Sequence, residues 1–384
     1  QQMIVKMAHL GARAFEEIGG EVVQTTSFVI KESNIKGYEG TYCKLTEPTT
    51  QRGKEEMFLA CKNRYFAEQE KFAKIPGSPA AYWISERVLS SFNASSVEKC
   101  GIFSYGVFTC NNAKFLRFWY EVGANNINLK QKTMVNKQWC PLNKGGTGRR
   151  WYGNLTYVIK YNNDGLEIRK YRKENGQSES LPGEEYYFKP HISWSLVTSS
   201  KLTFRYYPAG MLFDISAPSM FNENRGKLLS TLALLNSKIG SFYLPLFNPT
   251  MNNTNSDIKR IPYLVTENFQ TYIESMVETN IKISKEEWDS FEVSWNFKRH
   301  PMVALDIKSS SGWKNNLCSI RIRTTYAAWE KLCEKRFCEI KRNEEELNRI
   351  FIDIYGLQDE LTPEVENKDI TVRKADLGRD VRSF

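Results

Sequence analysis

A glycine-rich and basic stretch at residues 143–159, NKGGTGRRWYGNLTYVI, combines the residue types most suited to binding a polyanion. Its glycines let the backbone approach a ligand closely. Lys144, Arg149 and Arg150 can contact phosphates or base edges, and Trp151 can stack on a base or wedge between two bases. The alternative is a glycine-rich hairpin turn with ordinary flanking charges. We predict that these four side chains face a nucleic acid.

Further basic and polar side chains recur in loops outside this stretch. They lie at a turn within residues 199–210, in the polar turn that follows Asn248-Pro249, and at the start of residues 259–264. Each motif is short, so their recurrence rather than any single one favours a polyanion-binding surface. The additional side chains that we predict to face the polyanion are Lys201, Arg205, Asn252, Lys259 and Arg260.

Net charge supports the same interpretation. The 384 residues carry a formal net charge of +9, and residues 141–260 hold 16 Lys/Arg against 9 Asp/Glu, a net charge of +7. A basic field of this kind is typical of proteins that bind polyanions such as duplex DNA. A solvated surface that is merely basic is the alternative.

Motifs for catalysis and cofactor binding are missing from the sequence. There is no glycine-rich loop of the FxGxG type after a strand, no Walker A loop and no Rossmann fingerprint. Asn248-Pro249 is followed by Thr-Met, not by the Pro-aromatic pair of the loop that holds a flipped adenine. The three His and eight Cys form neither a hydrolase triad nor a Cys-x-x-Cys metal pair. We therefore predict no catalytic, cofactor-binding or metal-binding residue in this chain.

The sequence carries no sign of export or membrane insertion. No secretory signal opens it. Its most apolar stretch, residues 228–247, contains Asn236, Lys238 and Pro245, which predicts a buried helix and not a membrane span. Scattered Cys fit buried thiols in a reducing cytosol, so we expect a cytoplasmic protein with no membrane partner. Because both ends of the sequence look like cuts, we also expect a segment of a longer protein.

The pattern of elements predicts an α+β protein with more than one domain. The clearest helix is predicted at residues 326–357, where apolar residues recur at helical spacing and Gly356 provides a stop. The predicted segments are residues 1–62 as one side of an α/β sheet, 63–80 as a linker helix, 81–265 as a mixed and mostly β recognition module, and 266–384 as a helical region.

Long runs of the sequence, and not generic motifs, carry a resemblance to a known family. They include HLGARAFEEIGGEVVQTTSFVI (9–30), KGGTGRRWYGN (144–154) and NEEELNRIFIDIYGLQDELTPEV (343–365). Together they resemble the C-terminal portion of the PglX family, the site-specific DNA adenine-N6 methyltransferases of the BREX phage-defence systems. The similarity covers essentially the whole chain.

The resemblance implies a division of labour within a longer enzyme. In the family, an N-terminal Rossmann-like domain binds S-adenosylmethionine and methylates adenine N6, and a C-terminal region reads an asymmetric DNA site. Residues 1–62 would then be the terminal part of the methyltransferase-like domain, and residues 81–265 the DNA target-recognition domain. The family's cofactor motif and its Asn-Pro-Pro-Tyr loop have no counterpart here. We therefore expect this segment alone to be inactive, with S-adenosylmethionine bound only by the full-length protein.

Two other functions stay open at this point. The helices of residues 266–384 could form a protein-interaction module that docks another BREX component or a phage inhibitor. The chain could instead belong to a restriction-modification enzyme of related architecture. For a nuclease site, residues 290–298 offer Glu292 and Lys298, but these lack the required spacing.

Overall fold

The chain divides between Ala94 and Ser95 into two units. The computed structural model describes residues 2–15, 24–33, 35–129, 137–146, 148–248, 250–303 and 318–382. Within these ranges, helices accompany several small sheets, and this confirms the predicted α+β class.

A mixed four-stranded sheet forms the basis of the N-terminal unit. Its strands are Met3–Gly11 (β1), Thr25–Lys31 (β2), Glu39–Lys44 (β3) and Arg64–Glu68 (β4). They lie in the order β2-β1-β3-β4, with β1 and β3 parallel and the other two pairs antiparallel. The helices of this unit are Gln51–Leu59 (α1), Glu86–Ser91 (α2) and a 3-10 helix at Gln69–Lys74.

Aromatic side chains form the core of the N-terminal unit. Tyr42 of β3 is fully buried and stacks on Tyr82, with ring centroids 4.8 Å apart, while Phe72 packs against it edge-on. A linker helix was predicted for residues 63–80, and within this range the structure has a strand followed by the 3-10 helix at Gln69–Lys74. The first part of the range is strand β4, because the backbone there pairs with β3 and places Ala67 in the core.

Two sheets of short strands form the β part of the second unit. The strands are Ile102–Ser104 (β5), Leu116–Phe118 (β6), Trp139–Asn143 (β7), Tyr157–Lys160 (β8), His191–Ser193 (β9), Arg205–Tyr207 (β10), Leu212–Phe213 (β11) and Ser219–Phe221 (β12). One sheet has the order β10-β9-β12-β5 and the other β11-β7-β8-β6. Leu142, Ile159 and Phe213 of the latter are fully buried in one hydrophobic cluster. Short strands and loops were predicted for this region.

Helices make up most of the remaining part of the second unit. The α-helices are Asn112–Phe115 (α3), Leu166–Glu174 (α4), Arg225–Asn236 (α5), Lys238–Phe247 (α6), Asn255–Lys259 (α7), Glu267–Trp288 (α8), Cys318–Tyr355 (α9) and Leu377–Arg382 (α10). Short 3-10 helices lie at Val97–Cys100, Trp119–Glu121, Ala124–Asn126, Asn162–Gly165, Glu184–Tyr186 and Asn367–Asp369.

The single buried helix predicted for residues 228–247 is two helices, α5 and α6. Ser237 between them has an extended backbone, with φ −80° and ψ 173°. Its hydroxyl accepts a hydrogen bond from the amide of Ile239 (3.2 Å) and so caps α6. The apolar run hides this break, because the residues on both sides of it are buried.

The helix predicted at residues 326–357 is confirmed as α9. Three of its periodic apolar residues, Trp329, Ile340 and Phe351, are fully buried. Gly356 ends the helix with φ 64°. The amide of Leu357 then donates to the carbonyl of Ile352 (3.0 Å), which is the hydrogen bond expected after a glycine stop.

Helices α8 and α9 belong to the same unit as the short-stranded sheets. α8 packs on both α5 and α9, and Ile273, Val277 and Ile340 on these helices are fully buried. The apolar stripe of each helix is therefore used within the unit. The division into a recognition part and a C-terminal helical part, and the docking of other proteins on the latter, stay predictions.

Candidate nucleic-acid interface

The glycine-rich stretch follows β7 and adopts backbone conformations that favour glycine. Gly145 and Gly146 have φ values of 79° and 107°. A Cβ at Gly146 would lie 2.8 Å from Nδ2 of Asn154, so another residue would require a shift. The amide of Gly145 donates to Oδ1 of Asn143 (3.0 Å), and the Ser195 hydroxyl donates to the carbonyl of Gly146. Local hydrogen bonds thus fix the turn, and Gly146 stays exposed.

Arg149 turns into the protein. Its guanidinium donates through Nη2 to Oε2 of Glu287 at 2.5 Å and through Nε to the carbonyl of Tyr152 at 3.3 Å. The guanidinium also lies over the ring of Trp288, 5.0 Å from the centroid. Since Arg149 is 7% exposed, this pair is held away from water and is stronger than a surface pair.

Arg150 and Trp151 share one carboxylate. Nη1 of Arg150 donates to Oε2 of Glu344 at 2.6 Å, and Nε1 of Trp151 donates to Oε1 at 2.8 Å. The amide of Arg150 also donates to the Thr371 hydroxyl at 3.0 Å. Trp151 itself has φ 70°, a strained value for a bulky residue, which the surrounding contacts maintain.

Arg205 is completely buried. Its guanidinium donates to the Tyr207 hydroxyl (2.9 Å), to the carbonyl of Arg149 (3.1 Å) and to the Thr203 hydroxyl (3.3 Å). Through its bond to the carbonyl of Arg149, it holds the backbone of the glycine-rich stretch in place.

We predicted from the sequence that Arg149, Arg150, Trp151 and Arg205 face DNA, and in the structure all four are buried. All four lie in the interior, because groups elsewhere in the chain take their hydrogen bonds. They hold the turn in place, and contact of these side chains with DNA stays a prediction.

Two buried carboxylates, Glu287 and Glu344, are functional candidates that sequence reasoning missed. They are 1% and 4% exposed and belong to α8 and α9. A signal was present, because Glu344 stands between Ile340 and Leu347 on the apolar stripe of α9. A carboxylate on such a stripe needs a buried cationic partner.

Net charge differs between residues 95–265, which contain the arginines, and residues 266–384, which contain the two carboxylates. Residues 95–265 hold 22 Lys/Arg against 11 Asp/Glu, a net charge of +11, whereas residues 266–384 hold 19 against 22. The helices that supply Glu287 and Glu344 thus come from a mildly acidic part of the chain. Part of the basic charge of the sheets is neutralised by the protein itself.

Lys144 and Lys201 lie nearer to the surface. Nζ of Lys144 donates to Oδ1 of Asp214 at 2.8 Å, and its side chain is 24% exposed. Nζ of Lys201 lies 2.6 Å from Oδ2 of Asp369, and its side chain is 64% exposed. The lysine side of this second pair is solvated, whereas the Asp369 side chain is 14% exposed.

Three loops meet beside the glycine turn, and we call residues 144–146, 195–201 and 250–253 the loop surface. Ser195 bonds to Gly146, and the backbone of 196–198 pairs with that of 251–253. Asn252 is exposed and forms a bridge with Val197. Lys144, Lys201 and Asn252 thus belong to three loops that hydrogen bonds join, although they come from distant parts of the sequence.

Lys259 and Arg260 lie at the end of α7, outside the loop surface. Nζ of Lys259 is 3.4 Å from Oε1 of Glu98, and its side chain is 35% exposed. The guanidinium of Arg260 lies over the ring of Phe247. Both side chains are half-buried.

Asn248, which opened the Asn-Pro motif, has a local structural role. Its Oδ1 accepts from the amide of Thr250 (2.9 Å), and its Nδ2 donates to Oδ2 of Asp257 (3.0 Å). Pro249 lies outside the described residues. The Asn248 side chain is therefore occupied in shaping its own loop.

Two titratable groups with shifted pKa values, His191 and Cys140, are fully buried. Burial lowers the pKa of His191 to about 4 and raises the pKa of the Cys140 thiol to about 12. Among the described residues, no three His, Cys, Asp or Glu side chains are grouped so that they could hold a metal ion. None of the described helices is both long and apolar enough to cross a membrane.

Comparison with known proteins identifies the relatives of this chain. It is 40% identical over 395 aligned residues to the adenine-specific methyltransferase PglX of Lacticaseibacillus casei (strain Zhang), an alignment that covers 99% of the chain. It is 32% identical to the adenine-specific methyltransferase BrxX of Escherichia coli O9:H4 (strain HS) over 94% of the chain. The chain matches a C-terminal portion of the PglX methyltransferases. The predicted resemblance is thereby confirmed.

The PglX-like chain is shorter than these relatives. It spans 32% of the length of the first and 28% of the length of the second. No protein-family model matches it. Among solved structures, its fold is similar to that of the Type IIL restriction-modification enzyme MmeI, determined in complex with DNA. The TM-score is 0.51 at 7% identity, over 94% of this chain and 44% of that enzyme.

Proposed function

We propose that the chain is the DNA-recognition portion of a BREX-type, S-adenosylmethionine-dependent adenine-N6 DNA methyltransferase that acts in phage defence. The observation that carries this proposal is the 40% identity to PglX over 99% of the chain. The similarity of fold to MmeI, an enzyme solved in complex with DNA, supports it. The net charge of +11 on residues 95–265 supports duplex DNA as the partner.

The loop surface is the proposed contact region. Lys201 supplies a solvated cation for a phosphate, and Asn252 supplies an amide that can pair with an adenine edge in the major groove. The exposed backbone of Gly146 lets a strand approach closely. Arg149, Arg150, Trp151 and Arg205 act by holding this surface in shape.

S-adenosylmethionine is assigned to the portion of the family's length that this chain does not span. The described residues contain no glycine-rich loop that joins a strand to a helix, which is the usual cradle for such a cofactor. When bound, the cofactor supplies the methyl group for adenine N6. The residues of this chain would orient the DNA so that the target base can be extruded toward it.

The proposal is tested by measuring duplex DNA binding as a function of salt. We expect the logarithm of the binding constant to fall linearly with the logarithm of salt concentration. Lys201→Ala should reduce the slope by about 1, because one phosphate contact is lost. The matched control is Lys173→Ala. Lys173 lies on α4, its side chain is 72% exposed, and it pairs with Glu179 in the loop that follows.

Fluorescence anisotropy with labelled duplexes provides both measurements. Absence of binding to any duplex at low salt would overturn the proposal. An equal change of slope in the Lys201 and Lys173 variants would remove the loop surface as the contact region.

A further inference from the structure

Two segments of the loop surface pair as a short β-ribbon. Val197 and Asn252 lie opposite each other in an antiparallel bridge. The backbones of 196–198 and 251–253 are joined by hydrogen bonds of 3.1 and 2.6 Å that flank this bridge. Because the bonds lie on either side of it, Val197 and Asn252 form the non-hydrogen-bonded kind of pair, in which opposed side chains lie closer together.

Both side chains of this pair reach solvent. Val197 is 60% exposed, and Asn252 is exposed as well. Directly opposed side chains project from the same face, with their Cβ atoms about 4.5–5.5 Å apart. Among the described residues, none forms a hydrogen bond with the side-chain amide of Asn252. An apolar group and an unoccupied amide group therefore stand side by side on one face of the ribbon.

Other residues of the same unit hold the ribbon in this conformation. Nε1 of Trp194, which is fully buried, donates to the carbonyl of Asn253 at 2.9 Å. The amide of Asn252 donates to the Thr250 hydroxyl at 3.3 Å, and Nδ2 of Asn248 donates to the carbonyl of Asn252. The spacing of the Val197–Asn252 pair is thus set before any ligand binds.

The two groups match the major-groove edge of an A·T base pair. There adenine presents its N7 acceptor and N6 donor, and thymine presents its O4 acceptor and C5-methyl group. A two-stranded β-ribbon fits the major groove, an Asn amide binds N7 and N6 of adenine together, and an apolar side chain contacts the thymine methyl. A G·C pair has no methyl group for Val197, and its N7 and O6 acceptors suit Arg or Lys instead.

Single exposed apolar side chains are common on protein surfaces, so the exposure of Val197 alone has no functional meaning. Its position opposite Asn252, in a region of residues 95–265 with a net charge of +11, gives it one. We propose that the pair reads one A·T base pair: Val197 contacts the C5-methyl group of the thymine whose partner adenine is bound by Asn252. The inference rests on the proposed function and adds the identity of a base pair and the residue that reads its thymine.

Modified bases in a selected duplex test the proposal. Selection from a random-sequence duplex library with the whole 384-residue chain supplies the preferred duplex. Each thymine is then replaced in turn by uracil, which lacks the methyl group, and each adenine by 7-deazaadenine, which lacks N7. We expect one uracil replacement to weaken binding by the wild type about fourfold, the effect of one buried methyl group. Replacement of its partner adenine should weaken binding about tenfold.

Variants of the pair should remove these effects one at a time. Val197→Ala should bind thymine and uracil duplexes equally at that position, because its shorter side chain cannot reach the methyl group, and should keep the adenine effect. Asn252→Ala should lose the adenine effect. Met251→Ala is the matched control, since Met251 is 49% exposed beside the pair but projects from the other face of the ribbon. It should keep both effects.

The outcomes separate this inference from the proposed function. A uracil effect that is equal in the wild type and in Val197→Ala at every thymine would overturn the inference while leaving DNA binding intact. The same holds if the thymine coupled to Val197 and the adenine coupled to Asn252 belong to different base pairs. A selection that recovers no duplex would instead overturn the proposed function, and this inference with it.

Discussion

Glu344 is the residue on which the glycine-rich stretch depends most directly, because it accepts hydrogen bonds from both Arg150 and Trp151. Glu344→Gln preserves the shape but removes the charge, so Arg150 is left buried without its counter-ion. We expect a loss of about 3–5 kcal/mol in the free energy of unfolding, the usual result of breaking a buried ion pair. Urea denaturation of both proteins measures this loss.

Glu346 on the same helix gives the control for this prediction. It pairs with Arg349, and the two side chains are 32% and 55% exposed. Glu346→Gln should therefore change stability by less than about 1 kcal/mol. Similar losses in the two variants would mean that the Arg150–Glu344 pair has no special role.

His191 makes stability depend on pH. It is fully buried against Tyr207, and burial lowers its pKa from 6.5 to about 4. Between these two values the unfolded chain binds a proton that the folded chain does not, so stability falls as pH decreases through this window. We expect the wild type to lose more stability than His191→Gln between pH 7 and pH 5 in urea denaturation. Parallel pH profiles would contradict this assignment.

At the scale of elements, Gly356 determines where α9 ends. Its φ of 64° is unfavourable for a residue with a side chain. Gly356→Ala should lower the free energy of unfolding by about 1 kcal/mol. Gly378→Ala in α10 is the control, because an added Cβ would meet its nearest neighbour at an ordinary 3.5 Å. That change should be neutral or stabilising by about 0.5 kcal/mol. Thermal unfolding should show opposite or clearly unequal shifts, and equal shifts would contradict the role of Gly356.

The elements also show what a sequence can and cannot reveal. α9 was predictable because its apolar period and its glycine stop are local signals. The break at Ser237 was not, because it lies in a run that is buried on both sides. Arg149 and Arg150 meet carboxylates 138 and 194 residues away, and local composition gives no information on such partners. The residue types of Arg149 and Arg150 therefore suggested surface positions, whereas their tertiary contacts place them in the interior.

At the scale of the whole molecule, the two units differ in net charge. Gln1–Ala94 holds 12 Lys/Arg against 11 Asp/Glu, whereas Ser95–Phe384 holds 41 against 33, so the second unit carries a net charge of +8. The loop surface lies in the second unit as well. Electrostatic attraction to DNA should therefore belong almost entirely to that unit.

Expressing the two units separately tests this distribution. We expect Ser95–Phe384 to bind duplex DNA with nearly the salt slope of the whole chain, because it retains both the charge and the buried pairs that shape the loop surface. Gln1–Ala94 should bind weakly at any salt concentration. Circular dichroism of each fragment checks folding, and anisotropy measures binding. If Gln1–Ala94 alone reproduced the salt slope of the whole chain, the second unit would not be the DNA-binding part.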